Sequence, residues 1–94
     1  MHITVERSGG FIGVPMTREL DTTKVSQQQS IELETLLGAA DFFNLKDALT
    51  QEPDRFQYSI KVKNHDQSHE IHVTETQMSD NLYALMEKTL ELSA

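Results

Sequence analysis

The 94-residue sequence predicts an α+β fold: a four-stranded antiparallel sheet with a main helix packed on one face, in the order ββαββα. Three observations carry this expectation. Four segments alternate apolar and polar residues with period 2, the mark of strands with one buried face. Two segments carry apolar residues at helical spacing behind a good N-cap. A long apolar connection separates the first helix from the third strand, which gives the chain room to return beside it.

The first strand runs from His2 to Arg7, with Ile3 and Val5 on one side. The second is expected from Ile12 to Asp21, with Ile12, Val14, Met16 and Leu20 sharing a face. Pro15 falls on the opposite parity and has no N–H, which favours an edge or a bulge there. Ser26 to Gln29 matches the S-x-x-Q capping box, and Leu33, Leu36, Leu37 and Ala40 follow at i, i+3, i+4, i+7. The connection from Asp41 to Arg55 carries Phe42, Phe43, Leu45 and Leu49, so it is expected to pack, with a short helical turn around Leu45 to Leu49; Pro53 marks its end. The third strand, Phe56 to Lys63, turns Phe56, Tyr58, Ile60 and Val62 inward. The fourth, Ser68 to Thr76, turns Ile71 and Val73 inward. Ser79 is the N-cap of the last helix, with Asp80 at the positive end of its dipole and Met78 and Tyr83 placed for a hydrophobic staple. Leu82, Leu85, Met86 and Leu90 form its stripe. The return along the first helix suggests that the third strand pairs antiparallel with the second. The turns Ser8 to Phe11 and Asn64 to Gln67 would then lie at one end of the sheet. A parallel arrangement would put them at opposite ends, and both remain open.

The length allows a single domain spanning residues 1–94, with one well-filled core. Cysteine is absent, which excludes disulfides, thiolate zinc sites and cysteine nucleophiles, and a reducing cytoplasm is the expected location. Eight Lys and Arg stand against fifteen Asp and Glu, a net charge of −7. That balance argues against nucleic acid or an anionic membrane as partner. The start of the chain reaches charges at once and lacks an apolar signal-peptide region, and no apolar run approaches the roughly 20 residues of a membrane span.

The run Ser8-Gly9-Gly10-Phe11-Ile12-Gly13 holds three of the four glycines. A dinucleotide loop needs G-x-G-x-x-G between strand and helix, and a Walker loop needs a following Lys-Ser/Thr; neither is present. The run therefore fits a tight hairpin needing positive φ, with Phe11 directed away from the core as a possible anchor for a partner's pocket. The histidines of His65 to His72 tempt a metal assignment, but His69-Glu70-Ile71-His72 is one residue short of H-E-x-x-H and lies on a strand. There His69 and His72 project to opposite faces and cannot chelate together. No carboxylate pair and no strand–elbow–helix nucleophile is evident, so an enzyme is not expected. By themselves these features also fit a small non-catalytic interaction module.

Read in order, Ile3-Thr4-Val5-Glu6-Arg7-Ser8-Gly9-Gly10-Phe11-Ile12-Gly13-Val14-Pro15, Leu20-Asp21-Thr22, Leu36-Leu37, Ala40-Asp41-Phe42-Phe43 and Asp54-Arg55-Phe56-Gln57-Tyr58 resemble the emfourin family. The segment E-R-x-G-G-F-x-G is the specific part, and the resemblance covers nearly the whole chain. It implies a cystatin-like helix-on-sheet fold and a reversible inhibitor of protealysin and other thermolysin-like zinc metallopeptidases, monomeric when free. It implies no cofactor. By analogy with cystatins, adjacent loops would form the protease-binding wedge. Candidates are Ser8, Gly9, Gly10, Phe11, Ile12 and Gly13, and, if the two turns share an end, Asn64, His65, Asp66 and Gln67. Since no ligand set closes around the histidines, added zinc or a chelator is expected to leave the melting temperature unchanged. A chelator-induced shift of several degrees in a thermal melt would contradict that.

Overall fold

The computed structural model describes residues 1–10 and 14–93. It contains strands β1 (His2–Gly9), β2 (Met16–Asp21), β3 (Phe56–Asn64) and β4 (Gln67–Thr74), with helices α1 (Gln27–Ala39) and α2 (Asp80–Leu92). Short 3-10 turns span Thr22–Lys24, Phe42–Asn44 and Glu75–Gln77. The ββαββα order and the antiparallel α+β architecture are as the sequence predicts.

The spatial order of the sheet is β2-β1-β3-β4, and every neighbouring pair is antiparallel. The third strand therefore pairs with the first, not with the second. The burial of each strand gives the reason. Ile3 and Val5 on β1 are fully buried, whereas β2 commits only Leu20 to the core. A central strand loses access to water along both edges, so the strand with more apolar surface on its buried face gains most from that place. Since β2 and β3 both run against β1, they run in the same direction. The two hairpin turns consequently lie at opposite ends of the sheet, on the order of 27 Å apart for the eight steps from Phe56 to Asn64. The expectation that they share an end is overturned.

The inner face of the sheet presents Ile3, Val5, Leu20, Tyr58, Ile60, Val62, Ile71 and Val73, all buried. Against it lie Leu33 and Leu37 of α1, Leu82, Leu85 and Met86 of α2, and Phe42. The Ser26 box closes as the sequence predicts: Gln29 N donates to Ser26 Oγ at 3.1 Å, and Ser26 N donates to Gln29 Oε1 at 3.1 Å. Ser79 Oγ likewise accepts from Leu82 N at 3.1 Å. Asn81 Nδ2 donates to Ala39 O at 3.2 Å, so the start of α2 satisfies a free carbonyl at the end of α1.

Three local expectations need correction, the first being that β4 ends at Thr74, with Glu75 and Thr76 in a 3-10 turn and not in the strand. β2 begins at Met16, and Val14 is 64% exposed and outside the strand, because the ladder with β1 ends at the Arg7–Met16 pair, just after Pro15. Ile12 lies outside the described residues. The helical turn of the connection sits at Phe42–Asn44 and not at Leu45 to Leu49. Asp41 takes a left-handed φ of 52° and ends the first helical segment, which drops Phe42 into the core.

Residues 45–50 instead run along the outer edge of β4. Ala48 N donates to His72 O at 2.9 Å, Thr74 N to Ala48 O at 3.0 Å, and Thr50 N to Thr74 Oγ1 at 2.8 Å. The His69 ring meets Leu45 O at 2.7 Å, and Asp47 accepts from His72 N at 2.8 Å. This strap satisfies backbone groups that a bare edge would leave to water. The bonds from His72, first its backbone N–H and then its ring, hold the Asp47 carboxyl below its ordinary value. A group with a depressed folded pKa stabilises the fold above its unfolded pKa and ceases to do so as pH falls through the folded value. Asp47→Asn is therefore expected to melt below the native protein at neutral pH, with the gap closing once the pH drops below about 4. Paired melts across that range check it, and a gap independent of pH would refute it.

Candidate functional site

The end of the sheet that carries the glycine hairpin is built from three neighbouring segments. β1 parts from β2 after Arg7 and continues beside β3 through Ser8 and Gly9 to Gly10. Residues 49–55 lead into β3, and residues 75–77 follow β4. Gly9 and Gly10 adopt φ of 82° and 73°, the left-handed region that glycine enters without strain. Space is limiting as well. A Cβ on Gly9 would stand 3.0 Å from Arg55 O, and one on Gly10 would stand 2.8 Å from Cε1 of Phe56. Gly10 N donates to Arg55 O at 3.3 Å, which extends the β1–β3 ladder into the turn.

The Phe56 ring is the floor of this end. The Arg7 guanidinium lies 4.5 Å from its centroid, and Tyr58 meets it edge-on at 6.4 Å. Burial raises the Tyr58 phenol above its ordinary value, against the pull of the Arg7 cation. Carboxylates fasten the flanking segments. Glu75 Oε1 accepts from Phe56 N at 3.0 Å. Glu52 accepts from the Thr50 hydroxyl and, at 2.8 Å, from Thr76 Oγ1, and these two bonds lower its carboxyl from the usual range. Gly9 and Gly10 thus lie against the Arg55 carbonyl and the Phe56 ring, beside segments fastened by Glu52 and Glu75.

Of the residues proposed from sequence, Ser8, Gly9 and Gly10 stand at this end. Phe11, Ile12 and Gly13 lie outside the described residues. Asn64, His65, Asp66 and Gln67 form the tight turn at the far end, with His65 taking a positive φ of 54°. The two groups cannot form one wedge. The segments that do share the glycine end, Thr50 to Phe56 and Glu75 to Gln77, are not among the residues proposed from sequence. Pro53 and the threonine–carboxylate spacing hinted at a built loop. Their convergence, however, depends on β3 lying beside β1.

The open face of the sheet carries a shallow groove of about 290 Å³ lined by Glu6, Ser8, Leu49, Ser59, Glu70 and His72. Ser59 is directly opposite His72 across β3 and β4, and Asp47 Oδ2 lies 3.3 Å from His72 Nδ1. The Ser59 hydroxyl, however, donates to Glu70 Oε2 at 3.1 Å, so it is bonded to a carboxylate and not aligned on an imidazole base. His69 lies on the helix side, edge-on to Phe42 at 5.6 Å, so the two histidines do face opposite ways. Among the described residues no three His, Asp or Glu side chains are grouped to hold a metal. On this face the serine is therefore not set up by the histidine, whose ring faces Asp47 instead.

The family model Emfourin matches residues 5–90 of the chain. No curated protein and no solved structure matches it. The matched residues include Gly9 and Gly10, all of α1, most of α2 and, among the described residues, every buried apolar side chain but Ile3. At the hairpin, Gly10→Ala is expected to cost about 1–2 kcal/mol, from the left-handed φ and the close Phe56 ring together. Chemical denaturation of the variant measures this, and a change of less than a few tenths would mean that the turn relaxes freely.

Proposed function

The chain belongs to the Emfourin family, a family of protease inhibitors, and from that membership we propose that it inhibits thermolysin-like zinc metallopeptidases of the protealysin type. In this reading it blocks the active-site cleft reversibly, through the loops at the glycine end of the sheet. The family match over residues 5–90 carries the proposal. The geometry supports it in three ways. The turn is anchored by Gly9 and Gly10 on a fixed aromatic floor. Two further loops stand beside it, tied down by Glu52 and Glu75. The serine–histidine neighbourhood of the open face lacks the alignment of a catalytic pair.

The far turn at Asn64 to Gln67 drops out of the wedge, because it lies at the other end of β3. We assign the contact to Ser8, Gly9, Gly10, Phe11, Ile12 and Gly13 with the flanking loops. Phe11 is the candidate anchor. Thermolysin-like enzymes favour a bulky apolar residue just after the scissile bond. The absence of cysteine suits a reducing cytoplasm, where we place the protein. No described helix is long and apolar enough to cross a membrane.

An inhibition assay tests the proposal directly. Thermolysin is expected to be inhibited in a concentration-dependent way, while serine and papain-like cysteine peptidases are spared. No effect on thermolysin would leave a non-catalytic interaction module as the better description. A buried aromatic anchor typically contributes about 2–4 kcal/mol, or roughly 30- to 1,000-fold in the inhibition constant. Phe11→Ala should weaken inhibition at least about tenfold with little change in melting temperature. A variant that unfolds instead would place Phe11 in the core.

A further inference from the structure

The two edges of the sheet are not equivalent. The β4 edge is covered by residues 45–50, whereas the outer edge of β2 has no strand or strap beside it among the described residues. The hydrogen-bond phase of β2 follows from two contacts. Thr22 N donates to Met1 O at 2.9 Å, one step beyond the His2–Asp21 pair. On the other side of β1, Gly10 N donates to Arg55 O, one step beyond the Gly9–Phe56 pair. An antiparallel ladder alternates, so odd residues of β1 bond to β2 and even ones to β3. Arg18 and Leu20 therefore turn their backbone groups to β1. Thr17 and Glu19 turn theirs outward, ready for another strand.

A second copy of the chain does not fit this edge. Two β2 strands related by a two-fold axis must pair antiparallel with odd residues opposite odd ones. Centred on Arg18, the pairing sets Arg18 against its own copy. Centred on Glu19, it sets Glu19 against its copy, and centred on Leu20 it sets Glu19 against Asp21. Like charges directly opposite are destabilising. Centred on Thr17, it brings Pro15, which has no N–H, opposite Glu19. In addition, Arg18 Nη1 donates to Thr17 O at 3.2 Å, so the guanidinium screens one of the outward acceptors.

We propose that the free edge of β2 accepts an antiparallel extended segment of the target peptidase, in which a basic residue opposite Glu19 is followed at once by an acidic one opposite Arg18. This rests on the inhibitor reading and extends it from the glycine turn along the strand that follows. The acidic partner residue draws the Arg18 guanidinium off the Thr17 carbonyl, so the same charge that blocks self-pairing admits the heterotypic strand. Main-chain bonds at Thr17 and Glu19 supply the docking, and the charge pair sets the register.

Residue-resolved amide hydrogen exchange, on the free protein and on its complex with thermolysin, tests this. In the free protein the Thr17 and Glu19 amides are expected to exchange rapidly and those of Arg18 and Leu20 slowly. In the complex, Thr17 and Glu19 should slow at least about tenfold. Thr17→Pro removes an outward N–H without touching the β1 ladder, and Glu19→Lys reverses the charge that the partner reads. Each should weaken inhibition about tenfold or more. If Thr17→Pro does not fold, the exchange data on the native chain still decide. Inhibition with unchanged exchange at Thr17 and Glu19 overturns this inference and leaves the inhibitor reading standing. Absence of inhibition overturns both. A homodimer of the native chain that protects the same two amides overturns the heterotypic pairing.

Discussion

β1 is hydrogen-bonded on both sides over nearly its whole length, and the rest of the structure depends on that double pairing. Its odd residues are committed to β2 and its even residues to β3. Ile3 and Val5 are thereby enclosed between two strands and beneath a helix layer, where each gains the full benefit of leaving water. Once β1 is central, the direction of every other strand is set. The glycine turn and the His65–Asp66 turn then cannot share an end, and β2 is left as an edge.

The edges show two physical solutions to one problem. Unpaired backbone groups beside β4 are satisfied by residues 45–50, which bond to the strand through Ala48 and Thr50 and are pinned by His69, His72 and Asp47. Beside β2 nothing comparable is present among the described residues, and protection comes from charge: Arg18 on its neighbour's carbonyl and Glu19 alongside. A covered edge is closed to any partner. A charged edge is closed only to partners whose charges conflict with it. The difference gives a 94-residue inhibitor a second surface without adding a second loop.

At the glycine end, polar contacts fasten the flanking segments to one another. Phe56 sits between the turn and Arg7, Glu75 binds the first amide of β3, and Glu52 joins two loops that are far apart in sequence. Segments already ordered in the free protein lose less conformational freedom in a complex than disordered ones would. The carboxylates that fasten these loops are among those that make the chain acidic, so part of the negative charge is structural.

Much of this was legible from residue order. The alternation of Ile3 and Val5, the inward row Tyr58, Ile60 and Val62, the Ser26–Gln29 box and the Leu82, Leu85 and Met86 stripe each form as written: the box is closed by its own neighbours, and the apolar rows keep their face whichever element covers them. The positive φ of Gly9 and Gly10 and the emfourin resemblance were likewise legible. The tight turn expected at Ser8 to Phe11 was not: the ladder ends at the Arg7–Met16 pair, which leaves Ser8, Gly9, Gly10, Val14 and Pro15 outside the β1–β2 pairing. Sequence by itself did not determine which strand occupies the middle of the sheet, that Leu45 to Leu49 would lie along β4 and not form a helical turn, or that Val14 would fall outside β2. Each of those outcomes is a competition between elements distant in the chain, decided by the apolar area and the unpaired backbone groups that every arrangement leaves exposed. Only the folded structure, where β1 takes both neighbours and one edge is left over, contains that comparison.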